Sequence, residues 1–403
     1  MTSNRRRYDV DPYLYLLLIL TVLVCLPGFY IGISDSHVTP AIGVFFFGMA
    51  IFGGAFILSW AAEAAQIDIS ESLAVAILAL LAVLPEYAVD FVFTWKSAHD
   101  PRYAHYAIAN MTGANRLLVG LGWPLVLLIS LIVKKGKAIV LDESQRVEIF
   151  YLAMATIYSF TIPLKGHLSL IDTIILVTLF GLYTRRVTQM EATEPELVGP
   201  VRIVANLGTT ARRMATIFMF AFAGAVIFFV AEPFAESLVS MGRQFGINEF
   251  LLVQWLAPIA SESPEFIVAC TWAARGAAGS ALKALISSKV NQWTLLVGTI
   301  PLVYAISGRA VRPFMLDTLQ DHELLLTAAQ SVFAVAVLVN LKLGRSEGIL
   351  LFVLFMGQLI VEKIRMEVAA VYILLALGFH IKHWRHLIPA ARIGLGLKQK
   401  KRH

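Results

Sequence analysis

Apolar stretches of about 20 residues, the length a helix needs to cross a bilayer, recur from Tyr13 almost to the end of the chain. Hydrocarbon offers no partner for backbone N–H and C=O groups, so a segment that crosses it must satisfy them internally, as a helix does. Reading the apolar runs between charged or Gly/Pro breaks places helices near residues 13–32, 40–62, 71–97, 105–133, 147–163, 168–184, 214–239, 247–273, 280–306, 322–342, 347–361 and 367–381. That is about twelve transmembrane helices in an all-α polytopic membrane protein. Composition agrees: 58% of the 403 residues are hydrophobic and only 15% charged, and a soluble chain of this size needs far more polar surface.

The charges that remain are arranged rather than scattered. Arg5 to Arg7, Lys134-Lys135, Arg185-Arg186, Arg212-Arg213 and the tail from Lys398 to Arg402 lie between apolar runs. This is how cytoplasmic loops are marked, and it places both termini in the cytoplasm, with Arg309 and Arg312 on the opposite side against the trend. The net charge of +6 therefore reads as membrane topology, not nucleic-acid binding. The expected partners are the lipid bilayer and inorganic cations, and the expected location is a bacterial-type cell membrane. The first apolar run is long for a signal peptide and lacks a clear small-x-small cleavage site. Cys25 and Cys270 both fall in apolar helices and far apart in sequence, which supports neither a disulfide nor a metal cluster.

Two halves of the chain echo one another. L-P-E-Y-A-V near residue 85 matches S-P-E-F-I-V near residue 264; R-L-L-V-G (Arg116 to Gly120) matches T-L-L-V-G (Thr294 to Gly298). F-G-G-A (Phe52 to Ala55) is echoed by F-A-G-A (Phe222 to Ala225), and the apolar pair ending each half is interrupted near Lys165-Gly166 and Gly344-Arg345. Each half holds five helices, and an odd number makes the second copy enter the membrane the other way up. The organisation expected is an N-terminal segment with one extra helix (1–38), a first repeat (39–184), a cytoplasmic linker (185–213), a second repeat (214–363), and an extra helix with a basic tail (364–403). Inverted repeats of this kind mark secondary transporters.

Ionisable groups inside such helices are costly and therefore informative. Glu86 and Asp90 lie one turn apart on one face of the third helix, and Glu262 and Glu265 share a face of the eighth. A proline precedes Glu86 and Glu265, removes a backbone donor, and predicts a broken helix with freed carbonyl oxygens. The following helices add Asn110, Thr112 and Asn115 in the first repeat and Ser287, Ser288, Asn291 and Gln292 in the second. Carboxylates with amide, hydroxyl and carbonyl oxygens are the ligands of hard cations, and crossing the repeats at the midplane sets one carboxylate pair against the other. The plainer alternative is that Glu86 and Glu265 only pair with Arg116 and Lys289 as structural bridges. Glu63, Glu232 and Glu236 read as interfacial, Asp172 and Gln358 as locally satisfied polar groups, and His167 and His380 as residues at helix ends. The chain has no H-E-x-x-H and no other zinc-like spacing, so no enzymatic activity and no bound cofactor are expected.

A Pro-Glu helix followed by a Gly/Asn-rich helix resembles the two alpha-repeats of the calcium/cation antiporter superfamily, which includes sodium/calcium and cation/proton exchangers. The resemblance spans roughly residues 48–361. A-N-M-T-G-A-N (Ala109 to Asn115) is similar to that family's G-N-x-x-G-S-N, whereas S-S-K-V-N-Q-W (Ser287 to Trp293) is much degraded. The resemblance implies that Glu86 and Glu265 are the central cation-binding glutamates and that Ser261 is a hydroxyl ligand. It departs from the family where A-V-L precedes Pro85 in place of hydroxyl residues, and where Leu118 and Leu296 stand at frequent Asn or Asp positions. Asp90 and Glu262 are carboxylates where the family commonly has serine. The implied function is secondary active cation antiport of the sodium/calcium exchanger type, Na⁺ or H⁺ against Ca²⁺ or Na⁺, by alternating access. Strict Na⁺/Ca²⁺ exchange and a non-transporting scaffold with the same fold are the alternatives.

Overall fold

The computed structural model of the chain describes residues 8–34, 36–68, 84–134, 136–190 and 197–396. Helices occupy the places that the apolar runs mark. They begin with α1 (Pro12–Ser34), α2 (Pro40–Ala65) and α3 (Leu84–Ser97); the start of the expected third span, with the stretch before Pro85, lies outside the described residues. α4 (Arg102–Leu117) passes through a π turn (Leu118–Gly122) into α5 (Trp123–Lys134), followed by α6 (Arg146–Ser159), the short α7 (Thr161–Lys165) and α8 (Leu170–Val187). The second half holds the short α9 (Val201–Ala205), then α10 (Thr209–Phe245), α11 (Glu249–Ala274) and α12 (Ala278–Asn291). α12 runs through a second π turn (Gln292–Leu296) into α13 (Val297–Ser307). α14 (Thr318–Leu338), α15 (Arg345–Ile360), α16 (Arg365–His383) and α17 (Leu387–Gly394) complete the described chain.

Local chemistry sets the ends of these rods. Asp317 caps α14, accepting from Gln320 N at 2.8 Å while its own N–H donates to Gln320 Oε1 at 2.9 Å, a reciprocal capping box. Ser169 caps α8 in a second capping box, its N–H donating to the Asp172 carboxylate at 2.7 Å. Seven helical rods among the described residues are long and apolar enough to cross a membrane. α14 is the most enclosed of them, with Leu324, Ala328, Ala329, Phe333, Ala334 and Leu338 all fully buried. Its second half is apolar nearly all round, as a helix surrounded by others requires, while Gln320, Glu323, Thr327, Gln330 and Ser331 are buried polar groups along it.

Four short strands give the duplication its clearest geometric signature. β1 (Ala138–Val140) pairs antiparallel with β4 (Lys342–Gly344), Ile139 opposite Leu343. β2 (His167–Leu168) pairs antiparallel with β3 (Phe314–Met315), His167 opposite Met315. In each repeat one strand precedes the penultimate helix and the other precedes the last. The early strand of one repeat thus pairs with the late strand of the other, and the reverse pairing also occurs. A two-fold relation between the repeats demands this reciprocity. Because β1 and β2 flank the two ends of the α6–α7 rod, the two ribbons lie at its opposite ends, and the relation is an inversion.

The chain forms two compact units that cut across the repeats. Unit 1 comprises Met1–Val89, Glu191–Leu252 and Ile259–Pro264. Its core is α1, α2 and α10, and the glycines of F-G-G-A let them approach closely. A Cβ on Gly53 would lie 2.6 Å from Cys25 Sγ in α1, and one on Gly54 would lie 3.3 Å from Val226 in α10. The echoed Gly224 meets nothing within 4 Å, so the second copy keeps the letters without the packing. Arg212 closes one end of the unit with two hydrogen bonds to Asp68, 2.6 and 2.8 Å, joined by Arg213 at 3.3 Å. Unit 2 comprises Asp90–Met190, Val253–Pro258 and Glu265–His403, with α14 at its centre.

Candidate cation site

In unit 1 the candidate residues are Glu86, Ser261 and Glu262, all buried; Glu86 is only 1% exposed. Glu86 sits in the first turn of α3, directly after Pro85. Glu63 lies in the last turn of α2 and is buried rather than interfacial, because its carboxylate caps a chain segment, accepting from Val198 N at 3.2 Å. Glu232 and Glu236 are exposed on α10.

Unit 2 holds Asp90, Asn110, Asn115, Glu265, Ser288 and Asn291. Asp90, Asn110, Asn115 and Asn291 are buried, and Glu265 and Ser288 half-buried. The structure brings two pairs of these helices together chemically. Asn110 Nδ2 donates to Asp90 Oδ1 at 3.4 Å, tying α4 to α3. Asn115 Nδ2 donates to Met111 O at 2.9 Å, which turns its own Oδ1 outward from α4. That oxygen accepts from Lys289 Nζ at 2.9 Å, and the Asn115 carbonyl accepts from the same ammonium at 3.2 Å. Lys289 is fully buried and lies 4.7 Å from the Trp293 ring centre, so an aromatic face adds to its stabilisation. The chain thus sets its own ammonium on the amide and carbonyl oxygens that a hard cation uses.

The eighth expected helix differs from the sequence reading. α11 runs as a continuous helix from Glu249 to Ala274, through both Pro258 and Pro264, and is not broken at the Pro-Glu step. A proline inside a helix costs one hydrogen bond and leaves the carbonyl four residues earlier without its donor. For Pro258 that carbonyl belongs to Gln254, and α4 packs directly on it. A Cβ on Gly113 would sit 1.9 Å from Gln254 O. The glycine in A-N-M-T-G-A-N is therefore a contact point for the α11 backbone, which no other residue type permits.

Arg116 is occupied elsewhere than in the bridge considered for it. It forms an ion pair with Glu323 of α14, donates to Gln358 Oε1 at 2.7 Å, and lies over the Trp255 ring at 5.4 Å. Glu323 also holds Arg365 at 2.6 Å and accepts from Gln254 Nε2 at 2.7 Å. This buried Arg–Glu–Arg cluster links α4, α11, α14 and α16, and sequence reasoning missed it. Glu323 stands at the start of the expected helix over 322–342, where an acid ordinarily faces water. A signal was present, since Glu323 and Gln330 lie seven apart on one helix face. The Gln358 Oε1 accepts from Arg116, far from it in sequence, while its buried Nε2 finds no partner among the described residues; Asp172 is satisfied locally, by Tyr158, Ser169 and Lys165. His167 lies in β2 and His380 bonds the Ala376 carbonyl within α16, so both are engaged by backbone.

Both π turns fall at the R-L-L-V-G and T-L-L-V-G echoes. They are not in equivalent register: one follows Leu117 and the other ends at Leu296, one residue past the matching Leu295. π turns are frequent at functional sites, and these follow Asn115 and Asn291. Among the described residues no three His, Cys, Asp or Glu side chains converge as a metal cluster.

Duplicated, oppositely inserted helices with carboxylates and amides buried in both copies define a membrane ion transporter, and comparison with known proteins gives the family. The family model for sodium/calcium exchanger proteins matches residues 39–189 and 215–362, and the chain belongs to that family. A crystal structure of the H⁺/Ca²⁺ exchanger CAX shares 43% sequence identity, covers 95% of this chain and 98% of its own, and superposes with a TM-score of 0.92. The Ca²⁺/H⁺ antiporter protein YfkE shares 16% identity, over 90% of this chain and 99% of its own, with a TM-score of 0.59. The sodium-calcium exchanger NCX_Mj shares 17% identity over 80% and 98%, with a TM-score of 0.54. The last two establish likeness of fold. A comparison with curated proteins found no significant match. The chain is an integral membrane protein of the antiporter class.

Proposed function

We propose that this protein exchanges H⁺ against Ca²⁺ by alternating access. The observation that carries the reading is the 43% identity to the H⁺/Ca²⁺ exchanger over nearly the whole of both chains. In this reading Glu86 and Glu265, the Pro-Glu carboxylates of the two repeats, bind the divalent cation. Ser261, Glu262 and Asp90 supply further oxygens, and Asn110, Asn115, Ser288 and Asn291 line the helices that follow. A carboxylate left without its cation in a low-dielectric interior carries a costly bare charge. Taking up a proton removes that cost, so the same groups serve both substrates in turn.

The Lys289 ammonium on the Asn115 oxygens supports protons over sodium. A fixed positive charge there does the work of a monovalent cation and repels another at hydrogen-bond distance. Sodium coupling needs open oxygen sites beside the divalent one; here one of those sites is filled by the chain itself. The test is uptake of radioactive Ca²⁺ into proteoliposomes under a pH gradient or a Na⁺ gradient alone. Uptake driven by the pH gradient is expected, abolished in Glu86→Gln and in Glu265→Gln. Uptake driven only by Na⁺ assigns strict Na⁺/Ca²⁺ exchange instead, and no uptake under either gradient assigns a non-transporting scaffold.

A further inference from the structure

One buried carboxyl group of unit 2, outside the residues assigned to the cation, is held by no ion pair among the described residues. Glu148, in the first turn of α6, is 0% exposed, and no other described residue hydrogen-bonds to either of its carboxyl oxygens, which have at most a weak contact with its own backbone N–H. Other buried acids of this unit are tied down: Glu323 by two arginines and Asp172 by a lysine, a tyrosine and a serine. Glu148 is not, and its surroundings explain what it can do.

Helices α8 and α12 pack against α6. From α12, the half-buried Lys283 brings an opposite charge near enough to favour the Glu148 carboxylate, without hydrogen-bonding to it. From α8, the buried Tyr183 lies close enough for its phenol to feel the Glu148 charge, and its hydroxyl donates to Ser287 Oγ at 3.0 Å. Tyr151 on α6 itself packs on the Tyr183 ring at 5.8 Å. Arg146, on α6 two residues before Glu148, is taken by Glu143 at 2.5 Å and by the Val339 carbonyl at 3.2 Å. The other described elements packed on α6, namely the turn Glu143–Gln145, whose Glu143 is held by Arg146, α7, α14, α17 and the second π turn, bring no further charged group that acts on Glu148.

A bare carboxylate in such a place loses its hydration and gains no hydrogen bond from a neighbouring residue in return. Two things can neutralise it: a proton on the carboxyl itself, or the Lys283 ammonium drawn in against it. Both lie near an aqueous boundary, because α8 ends here in Arg185 and Arg186 and α12 begins here after Gly276. A metal cation is disfavoured by the lysine already present. We propose that Glu148 is a proton-binding station at this end of unit 2, with Lys283 as the ionic partner that replaces the proton when it leaves. Protonation forms one O–H bond on the carboxylate from a hydronium ion of the adjoining water and returns Lys283 toward that water. Deprotonation reverses both movements. Titration of Glu148 stands independently of transport; its coupling to the exchanged proton rests on the H⁺/Ca²⁺ reading.

The experiment is infrared difference spectroscopy of the purified full chain in lipid without Ca²⁺, stepped from acidic to alkaline buffer. Wild-type protein is expected to lose a protonated-carboxyl C=O band that shifts in D₂O. Glu148→Gln should lack that component, and Glu148→Asp should restore one. Lys283→Met should move its disappearance to more alkaline buffer, since the ammonium that favours the carboxylate is gone. In proteoliposomes, Glu148→Gln should still transport but with a displaced pH profile of Ca²⁺ uptake. A carboxyl band identical in wild type and Glu148→Gln overturns the proposal, and so does a Glu148 band that never changes with pH. Should Glu148→Gln fail to fold, the Lys283→Met shift decides: no shift overturns the proposal. Titration of the band without any pH-driven uptake would leave Glu148 a proton site and remove the antiport reading instead.

Discussion

Glu323→Gln tests whether the buried Arg–Glu–Arg cluster organises unit 2. The substitution preserves shape and removes the single negative charge that faces both Arg116 and Arg365, with Arg116 and Glu323 almost completely excluded from solvent. Removing one partner of a buried pair costs about 3–5 kcal/mol, because the remaining charge stays buried and uncompensated. Here two guanidinium groups are affected, but the glutamine oxygen still accepts one hydrogen bond, so the same range is expected. At roughly 2 cal/mol/K of unfolding entropy per residue, a chain of this length loses about 1.2 °C of Tm per kcal/mol. The expected fall is therefore about 4–6 °C, measured by thermal unfolding of the detergent-solubilised protein with a thiol-reactive dye that reports exposure of the buried Cys25. Adding Arg116→Met to Glu323→Gln removes one stranded charge and should recover part of the loss. An unchanged or higher Tm in Glu323→Gln, or a double variant no better than the single, would refute the idea that charge compensation holds these helices together.

Other expectations are as direct. Gly113→Ala forces a methyl group to within 1.9 Å of the Gln254 carbonyl and should cost about 1–3 kcal/mol or more, whereas Gly224→Ala, with open space around it, should be nearly neutral; paired melting curves check this. Lys289→Met leaves the Asn115 Oδ1 and carbonyl oxygens without their donor, and should introduce Na⁺ sensitivity into Ca²⁺ uptake, read as a Na⁺ dose response that the wild type lacks. The hydrogen bonds and charge of Arg212, with Arg213, hold the Asp68 carboxyl below the usual carboxylate range. A folded-state value below the unfolded one means that this contribution is present above about pH 4 and disappears as pH falls through the lowered value. The Tm difference between wild type and Asp68→Asn should accordingly shrink toward zero in acid.

Much of this architecture is legible in the sequence, because a bilayer leaves an apolar run of 20 residues few choices. The runs at 40–62 and 367–381 become α2 and α16 with ends shifted by a few residues. The echoes around Arg116 and Thr294 mark the two π turns, though not their register. Interactions set by tertiary contact were not legible. Arg116 meets Glu323 across 207 residues of chain, and nothing local distinguishes that partner from Glu86. A break at Pro264 follows from propensity alone, yet a helix held on several sides tolerates one missing hydrogen bond, and α11 stays continuous. Glu148 escaped notice because an acid near the start of an apolar run ordinarily faces water.

The reciprocal ribbons bear on how the protein is made. Ala138–Val140 leaves the ribosome some 200 residues before Lys342–Gly344, its partner, and His167–Leu168 waits about 150 residues for Phe314–Met315. Neither end of unit 2 can be fastened by the first repeat alone, so early helices sit in the bilayer as unfinished lodgers until nearly the whole chain has been translated. Pairings so distant in sequence form late and slowly. Quality control of this protein therefore falls on a half-built intermediate, and truncation after the first repeat should yield a species that the membrane's proteases remove.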